Sequence, residues 1–385
     1  MISSTTLEPG VVLLGKYRVD RVLGAGGMGM VLLAHHLQLQ RPVAIKVLLP
    51  AMVAQREIVQ RFLREAQAAS RLTSEHVARV LDVGSLPDGA PYMVLEYLDG
   101  TDLARIGPGT LPTAVMIDLV LQACEALAEA HALGIVHRDL KPANLFVTRR
   151  ADGEPQLKLL DFGISKTGSV ADDRLTSTHS VMGTPSYMSP EQMRASREVD
   201  ARADVWSLGA VLYELFQGAP PFEAETFTAL CLAVTMDPPA PLTAAIPTRL
   251  RDAVLRCLEK APASRFQSVG ELAEALAPFA SSPARAAMSV ERIARTLASA
   301  PPAFRATVGS REASTTLRNA AGARTERNRA RVETTRGRRA GAIIAGVAVA
   351  AGVVAAAAWR VDRHAETRLG APVGSAPEPA PPERA

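Results

Sequence analysis

The spacing of apolar positions changes repeatedly between residues 16 and 280, as it does where strands and helices follow one another. Tyr17–Leu23 is the first strand candidate, and the apolar run at Met30–Ala34 predicts a second strand after it. Gln60–Ala69 has the composition of a helix. We therefore expect one ordered domain over residues 16–280, after a short lead-in at residues 1–15.

The composition changes after residue 280. Residues 281–339 are rich in Ala, Arg, Ser and Thr and poor in large apolar side chains, so they can bury too little surface to offset their chain entropy. With 13 Arg and 4 Glu, they are expected to form a flexible basic linker, in which Met288–Leu297 has the pattern of a short amphipathic helix. Because the basic pI comes from this segment, it is no argument for nucleic-acid binding.

An uncharged stretch, Ala340–Trp359, follows the linker. A helix of this length spans a hydrocarbon core of about 30 Å. Arginines crowd its N-terminal flank, which places the preceding domain in the cytoplasm. The prediction is a single-pass cell-membrane protein with a short Pro-rich tail at residues 360–385. A solvent-exposed Ala-rich helix is the alternative, because alanine contributes little to insertion.

The three cysteines, Cys124, Cys231 and Cys257, are far apart and form no C-x-x-C pair. Their odd number argues against a full disulfide framework, and their apolar surroundings favour buried free thiols. The N-terminus lacks the charged start and apolar run of a signal peptide. Both observations fit an ordered domain in the reducing cytosol.

A glycine-rich segment connects the two predicted strands. Gly24, Gly26 and Gly29 spell G-x-G-x-x-G, and Val31 follows two residues later. Glycines let backbone N–H groups approach phosphate oxygens without a Cβ clash. Dinucleotide-binding folds use the same spelling, but there the third glycine opens a helix. The apolar run that follows here favours a β-hairpin lid.

Lys46 lies inside an apolar run, directly after Val43-Ala44-Ile45, and this run predicts a further strand. A lysine in an apolar strand is costly to bury unless it is paired, and nucleotide phosphates with a carboxylate would provide the pairing. The carboxylate is expected on the helix downstream, where Glu65 is the favoured candidate and Glu57 the rival. A lysine on an exposed strand face is the alternative interpretation.

Two further motifs carry chemistry. Residues 137–144 spell H-R-D-L-K-x-x-N, and a D-F-G begins at Asp161, 22 residues after Asp139. Phosphoryl transfer depends on positioning and charge neutralisation more than on covalent chemistry. In this spacing Asp139 can orient a hydroxyl and accept its proton, and Lys141 can reach the transferring phosphate. The oxygens of Asn144 and Asp161 are ligands that Mg²⁺ prefers.

With these motifs, the chain from residue 16 to 280 resembles the eukaryotic-type (Hanks-type) Ser/Thr protein kinases of bacteria. The resemblance implies an α+β, bilobal fold, with a small β-rich lobe over a larger α-helical lobe and ATP with Mg²⁺ between them. It implies catalytic roles for Asp139, Lys141, Lys46 and Glu65, and metal binding by Asn144 and Asp161.

The same resemblance implies a nucleotide site. Its residues are Leu23, Gly24, Gly26, Gly29, Val31, Ala44, Lys46, Glu96, Leu98 and Leu145. The backbone of Glu96 and Leu98 is expected to hold the adenine edge, and Leu95 to guard the pocket behind it. Val31, Ala44 and Leu145 are expected to sandwich the ring.

The family's regulatory loop falls between the D-F-G motif and residue 191. Thr176 and Thr178 match the doubly phosphorylated threonines of bacterial relatives, and Arg138 is the implied partner of a phosphate there. Thr184 matches the threonine that contacts the catalytic Asp and Lys, which indicates Ser/Thr rather than Tyr specificity.

Two more landmarks match the family. Glu191, in S-P-E, corresponds to the glutamate that pairs with an arginine near the end of the domain, and Arg265 fits that arginine. Asp204–Gly209 resembles the buried helix that supports the catalytic loop.

We therefore expect a membrane-tethered protein kinase that moves the γ-phosphate of ATP to Ser/Thr hydroxyls and phosphorylates its own loop. The alternative is a pseudokinase scaffold at the membrane. The presence of every essential catalytic residue argues against it. The tail at residues 360–385 lacks a core-forming pattern, so signals are expected to enter from the cytosol, a partner or a homodimer. No motif identifies the protein substrate.

Overall fold

The computed structural model describes residues 7–26, 29–163, 185–194 and 199–300. Thr176, Thr178, Thr184 and the predicted span Ala340–Trp359 lie outside these residues. Within them, no helix is both long and apolar enough to cross a bilayer.

In the described part of the first lobe, strands form one antiparallel sheet in the order β1-β2-β3-β4-β6-β5. The strands are Val12–Leu13 (β1), Tyr17–Ala25 (β2), Gly29–His36 (β3), Arg41–Leu48 (β4), Val80–Ser85 (β5) and Pro91–Glu96 (β6). The predicted hairpin is confirmed, because β2 pairs with β3 from Tyr17–His36 to Ala25–Met30. The sheet also reaches into the predicted lead-in, where β1 pairs with β2.

Two helices, Pro50–Val53 (α1) and Arg56–Ala69 (α2), follow β4. The helix predicted at Gln60–Ala69 is thus confirmed. Its apolar face packs on the sheet, where Phe62 and Ala66 meet Leu48 and Met93 in one buried cluster. The opposite face is polar, as expected of an amphipathic helix at a surface.

The second lobe begins with a small sheet and continues in helices. Gly100–Asp102 (β7), Leu145–Arg149 (β8) and Pro155–Leu159 (β9) form the sheet. The helices are Leu103–Ile106 (α3), Thr113–Ala132 (α4), Pro190–Met193 (α5), Arg202–Gln217 (α6), Phe227–Met236 (α7), Thr248–Cys257 (α8), Val269–Leu276 (α9) and Pro283–Ala298 (α10).

Helices α4 and α6 are apolar on most of their circumference, which is typical of helices inside a core. They lie in the main hydrophobic cluster of the second lobe. Cys124 and Cys257 are buried free thiols there, whereas Cys231 is only half-buried.

The prediction of a flexible linker over residues 281–339 is wrong for α10, but the amphipathic helical pattern at Met288–Leu297 is confirmed, since it lies within this helix. Ser282 caps this helix, Ile293 and Ala286 are buried, and Arg292 makes a two-pronged ion pair with Glu125 of α4, with N–O distances of 2.7 and 2.8 Å. The isolated segment is too polar to form a core of its own, but its narrow apolar stripe fits a surface that α4 and α9 provide.

Candidate functional site

Lys46 lies on β4, between β3 and β6, and its side chain reaches into the cleft between the lobes. Its Nζ is 2.7 Å from Glu65 Oε1 and 2.7 Å from Asp161 Oδ1. The partner on α2 is therefore Glu65, whereas the rival Glu57 is exposed in the first turn of the helix. One ammonium group thus joins the sheet, α2 and the D-F-G segment.

The charges of this triad perturb one another. Burial by itself lowers the pKa of Lys46, but the Asp161 and Glu65 carboxylates outweigh it and raise that pKa above its usual value. Burial raises the pKa of Glu65 to about 7, since desolvation and the Asp161 charge outweigh the attraction of Lys46. Two carboxylates share one cation here, so the site has an excess of negative charge that a further cation would relieve.

The segment 137–144 places its polar groups together. Lys141 Nζ is 3.3 Å from Asp139 Oδ2, and the Asn144 side-chain amide donates to the Asp139 carbonyl at 2.7 Å and to its Oδ2 at 3.3 Å. A short 3₁₀ turn, Pro142–Asn144, fixes this arrangement. Asp139, Lys141 and Asn144 therefore form one cluster, as the sequence motif predicts.

Asp204 of α6 supports this loop from within the core. It is fully buried, and it accepts from the backbone N–H groups of His137 at 2.8 Å and Arg138 at 2.9 Å. His131 Nε2 lies 2.8 Å from the same carboxylate. Burial alone would raise the pKa of Asp204, but these partners hold it below its usual range. The carboxylate thus stabilises Arg138 at a φ of 65°, an unfavourable conformation for a side chain of this size.

The D-F-G segment is held by packing. Phe162 is buried and its ring centroid lies 4.6 Å from that of His137, whose Nε2–H donates to the Leu160 carbonyl at 3.1 Å. A Cβ on Gly163 would come within 2.7 Å of Asp139 Cβ. Only glycine therefore lets this segment approach the catalytic loop so closely.

A cleft of about 420 Å³ separates the lobes. Of the predicted nucleotide residues, it is lined by Leu23, Gly24, Val31, Ala44, Lys46, Glu96 and Leu98, together with Leu95, Glu65 and Asp161. Residues that the sequence reasoning missed also line it, among them Val77, Met93, Asp102 and Phe146. The mixture of aliphatic walls and a few charges at one end suits a purine with phosphates.

The placement of Leu145 in the cleft is wrong. Leu145 has no exposed surface and packs into the core of the second lobe, whereas Phe146 faces the cleft. Both residues lie on β8, where successive side chains point to opposite faces. The alternation of side chains along a strand could have revealed this error. Leu145 and Val147 share one face of β8, which packs against the core, so Phe146 takes the opposite face.

The glycines of the hairpin differ in their surroundings. A Cβ on Gly29 would come within 2.6 Å of the Val47 carbonyl oxygen, so this position requires glycine for β3 to approach β4. Added Cβ atoms on Gly24 and Gly26 would meet nothing within 4 Å. Gly26 N–H donates to the Gly29 carbonyl at 2.9 Å, which closes the tip of the hairpin.

An ion pair stands behind the predicted adenine-binding segment. Lys158 of β9 is buried, and its Nζ is 2.7 Å from Glu96 Oε1, which also accepts from the Arg79 backbone N–H at 2.9 Å. Glu96 N–H donates in turn to the Arg79 carbonyl at 3.0 Å. This pair connects the segment between the lobes to the strand that leads to Asp161. No motif in the sequence indicates this pair.

Glu191 and Arg265 form the predicted pair. The guanidinium is fully buried and donates to Glu191 Oε1 at 2.8 Å and Oε2 at 2.9 Å. Its remaining N–H groups donate to the backbone carbonyls of Glu259, Arg202 and Lys260. The pair therefore ties α5, which follows the loop outside the described residues, to the core.

Comparisons with known proteins show which family the chain belongs to. The family model for the protein kinase domain matches residues 17–276. The chain is 40% identical over 270 residues to the serine/threonine-protein kinase Pkn1 of Myxococcus xanthus, covering 69% of this chain and 38% of that protein. It is 38% identical over 270 residues to the serine/threonine-protein kinase PknB of Mycobacterium tuberculosis, covering 68% of this chain and 42% of that protein.

The chain thus spans less than half the length of these two relatives. Among solved structures, the PknI kinase domain of M. tuberculosis is similar, with a TM-score of 0.55 at 34% sequence identity. The likeness covers 71% of this chain and 99% of that one.

Proposed function

This chain belongs to the protein kinase domain family, and from that premise we propose that it is an ATP- and Mg²⁺-dependent serine/threonine protein kinase. The observation that carries the proposal is the position of Lys46 between Glu65 and Asp161. This contact brings the nucleotide-binding lobe, α2 and the D-F-G segment into one assembled arrangement.

The residues present fit a nucleotide. The aliphatic part of the cleft, with Val31 and Ala44 above and Phe146 below, would hold the base. Lys46 would hold phosphate oxygens under the glycine hairpin, where Gly24 and Gly26 leave room that a side chain would fill.

The donor set also fits a magnesium ion. Asn144 and Asp161 offer an amide oxygen and a carboxylate, which are hard oxygen ligands, and the Asp161 side chain is 47% exposed toward the cleft. When bound, the ion would supply positive charge that neutralises the phosphates and relieves the excess of carboxylates. The residues of the chain do the rest.

Asp139 would accept the proton of the attacking hydroxyl. The hydroxyl oxygen then forms a bond to the γ-phosphorus, the bond to the bridging β-phosphate oxygen breaks, and ADP leaves. Lys141, 3.3 Å from Asp139 Oδ2, would balance negative charge on the transferring group. Asn144 holds the Asp139 carboxylate in place through its amide.

We further propose that the kinase phosphorylates its own Thr176 and Thr178. The position of both threonines between the D-F-G and S-P-E motifs and their match to the family's modified threonines support this proposal. Arg138, whose backbone is fixed by Asp204, would be the partner of the added phosphate.

Membrane attachment through Ala340–Trp359 is likewise a proposal, and it rests on the uncharged length and the flanking arginines. The full chain, expressed in bacteria, should stay in the membrane pellet after alkaline carbonate extraction, whereas a chain ending at residue 339 should be released. Release of both chains would contradict a spanning helix and leave an Ala-rich surface helix.

The test of activity is phosphate transfer by the full chain, incubated with ATP and Mg²⁺ and mapped by mass spectrometry. Asp139→Asn should abolish transfer, and Asp20→Asn, which changes an exposed aspartate on β2, should not. Phosphate on Thr176 or Thr178 in the wild type supports self-activation. Transfer that survives Asp139→Asn would refute the assigned base, and no transfer to itself or to a basic protein would favour a pseudokinase.

A further inference from the structure

Lys158 is a buried lysine at the base of the nucleotide cleft. It lies on β9, directly opposite Phe146 of β8, and it is only 7% exposed. Side chains directly opposite each other in an antiparallel pair share one face of the sheet, with Cβ atoms about 5 Å apart. Phe146 lines the cleft, so the Lys158 side chain leaves β9 on the face that supports the cleft from the second lobe.

The ammonium group of Lys158 reaches from the second lobe to the first. Its Nζ donates to Glu96 Oε1 at 2.7 Å, and Glu96 is the last residue of β6. The same Oε1 accepts from the Arg79 backbone N–H at 2.9 Å, and Glu96 N–H donates to the Arg79 carbonyl at 3.0 Å. The first lobe therefore holds Glu96 by its backbone, and both lobes hold its side chain.

These contacts restrict how Glu96 can move. Its N–H and its carboxylate are both engaged, so the residue cannot rotate without breaking a contact with Arg79 or Lys158. Desolvation of two charges offsets much of their attraction, so the main consequence of such a pair is a fixed geometry. Lys158 is the contact from the opposite lobe, and its loss would let the end of β6 shift relative to Phe146.

Adenine and guanine differ at the edge that this segment would meet. Adenine presents an amine that donates beside a ring nitrogen that accepts, whereas guanine presents a carbonyl and a ring N–H in the same places. A carbonyl at Glu96 and an N–H at Leu98 would complement adenine and oppose guanine at both atoms. Unpaired polar groups in a cleft are costly, so a rigid segment rejects guanine, and a segment that can shift tolerates it.

We propose that Lys158 is a positioning residue that makes the nucleotide cleft select adenine over guanine, an inference that rests on the proposed function. Lys158 is not among the described residues that line the cleft, so it acts through Glu96, whose carbonyl it holds in one place. Phosphate oxygens would be held by Lys46 at the other end of the cleft. Loss of Lys158 should therefore weaken the choice of base more than the binding of phosphates.

The test is binding of ADP and of GDP to the full chain, measured by isothermal titration calorimetry without Mg²⁺. Lys158→Met removes the ammonium group and keeps most of the length of the side chain. It should lower the ratio of the GDP to the ADP dissociation constant by about tenfold or more, the effect of one hydrogen-bond mismatch that is no longer enforced. Lys16→Met makes the same change at an exposed lysine and should leave the ratio unchanged. Lys158→Arg retains the cation and should restore most of the ratio.

Two readouts separate positioning from a structural role. A variant that is merely less well folded would bind ADP and GDP more weakly by the same factor, so its ratio would not change. In phosphate transfer, Lys158→Met should raise the KM for ATP and leave kcat within about twofold, because Asp139 and Lys141 are untouched. If Lys158→Met does not fold, Lys158→Met combined with Glu96→Gln removes both charges and should show the same loss of selection.

An unchanged ratio in the folded Lys158→Met variant, or in the double variant, would overturn the proposal. A wild type that binds ADP and GDP equally would overturn it as well. If the wild type binds neither nucleotide, the proposed function fails together with this inference. If it selects ADP through Lys158 but transfers no phosphate, the inference stands and only the proposed kinase activity fails.

Discussion

The buried pair of Glu191 and Arg265 permits a quantitative test of what holds the second lobe together. Glu191→Gln removes one negative charge with almost no change in shape. Arg265 has no exposed surface, so its cation would stay in the core with only a neutral amide and three backbone carbonyls as partners. Leaving a buried charge uncompensated costs about 3–5 kcal/mol, and the retained amide contact places this variant near the lower value.

A matched control is the exposed pair of Glu154 and Arg285, whose side chains are 51% and 58% exposed. Glu154→Gln removes the same charge, but in water such pairs contribute only about 0–1 kcal/mol. The two variants therefore make the same chemical change in two environments, and the difference between them isolates the effect of burial.

Urea unfolding of residues 1–300 provides the assay. The chain has two tryptophans, and without Trp359 the buried Trp206 is the only one left, with its ring 5.0 Å from the Arg265 guanidinium. With an m-value of about 3 kcal/mol/M, Glu191→Gln should lower the urea midpoint by about 1 M and Glu154→Gln by less than about 0.3 M. Equal shifts of the midpoint in both variants would show that burial does not make the Glu191–Arg265 pair matter more than the exposed pair.

Three further predictions concern the cleft. Phe146→Ala should raise the KM for ATP about tenfold with little loss of stability. Leu145→Ala should instead lower the free energy of unfolding by about 2–5 kcal/mol, with a smaller effect on the KM. The reverse pattern would contradict the assigned strand faces. Lys158→Met and Glu96→Gln, measured alone and together, should show an interaction energy of about 1–2 kcal/mol in the free energy of unfolding. Additive effects would mean that the ion pair contributes nothing to stability. Because the pKa of Glu65 is raised from 4.5 to about 7, the folded state holds this proton more tightly than the unfolded chain. Its contribution to stability is therefore present below about pH 4.5 and is lost as the pH rises through about 7. The free energy of unfolding of the wild type, relative to Glu65→Gln and without added nucleotide, should fall over this range, and a rise would contradict the shift.

Parts of the site that depend on short spacings can be predicted from the order of the residues alone. The glycine hairpin, the segment 137–144 and the D-F-G motif each place their groups through a few consecutive residues, so their local arrangement follows from the motif. Asp139, Lys141 and Asn144 accordingly lie together as expected. The pairing of Glu191 with Arg265 was also predicted, although only through the resemblance to a family.

The choice between Glu65 and Glu57 needed the position of α2 on the sheet. The two residues are eight apart, which is about 12 Å along a helix axis, and either has a suitable side chain. Packing of Phe62 and Ala66 on Leu48 and Met93 sets the position of the helix, and only then does Glu65 reach Lys46.

Strand faces and long-range pairs were likewise decided by the tertiary structure. A displacement of one residue along β8 exchanges Leu145 for Phe146, because a strand alternates its faces with a period of two. The Lys158–Glu96 pair joins residues 62 positions apart, and no local pattern announces it.

Helix α10 is the clearest case. Its residues are too polar to bury a core alone, so composition predicted a flexible segment, in which only Met288–Leu297 had the pattern of a helix. The folded domain supplies Glu125 and an apolar surface, and the helix then becomes ordered against them. The spacing of residues within a short motif determines which functional groups lie together, whereas contacts between distant segments form only when the chain folds.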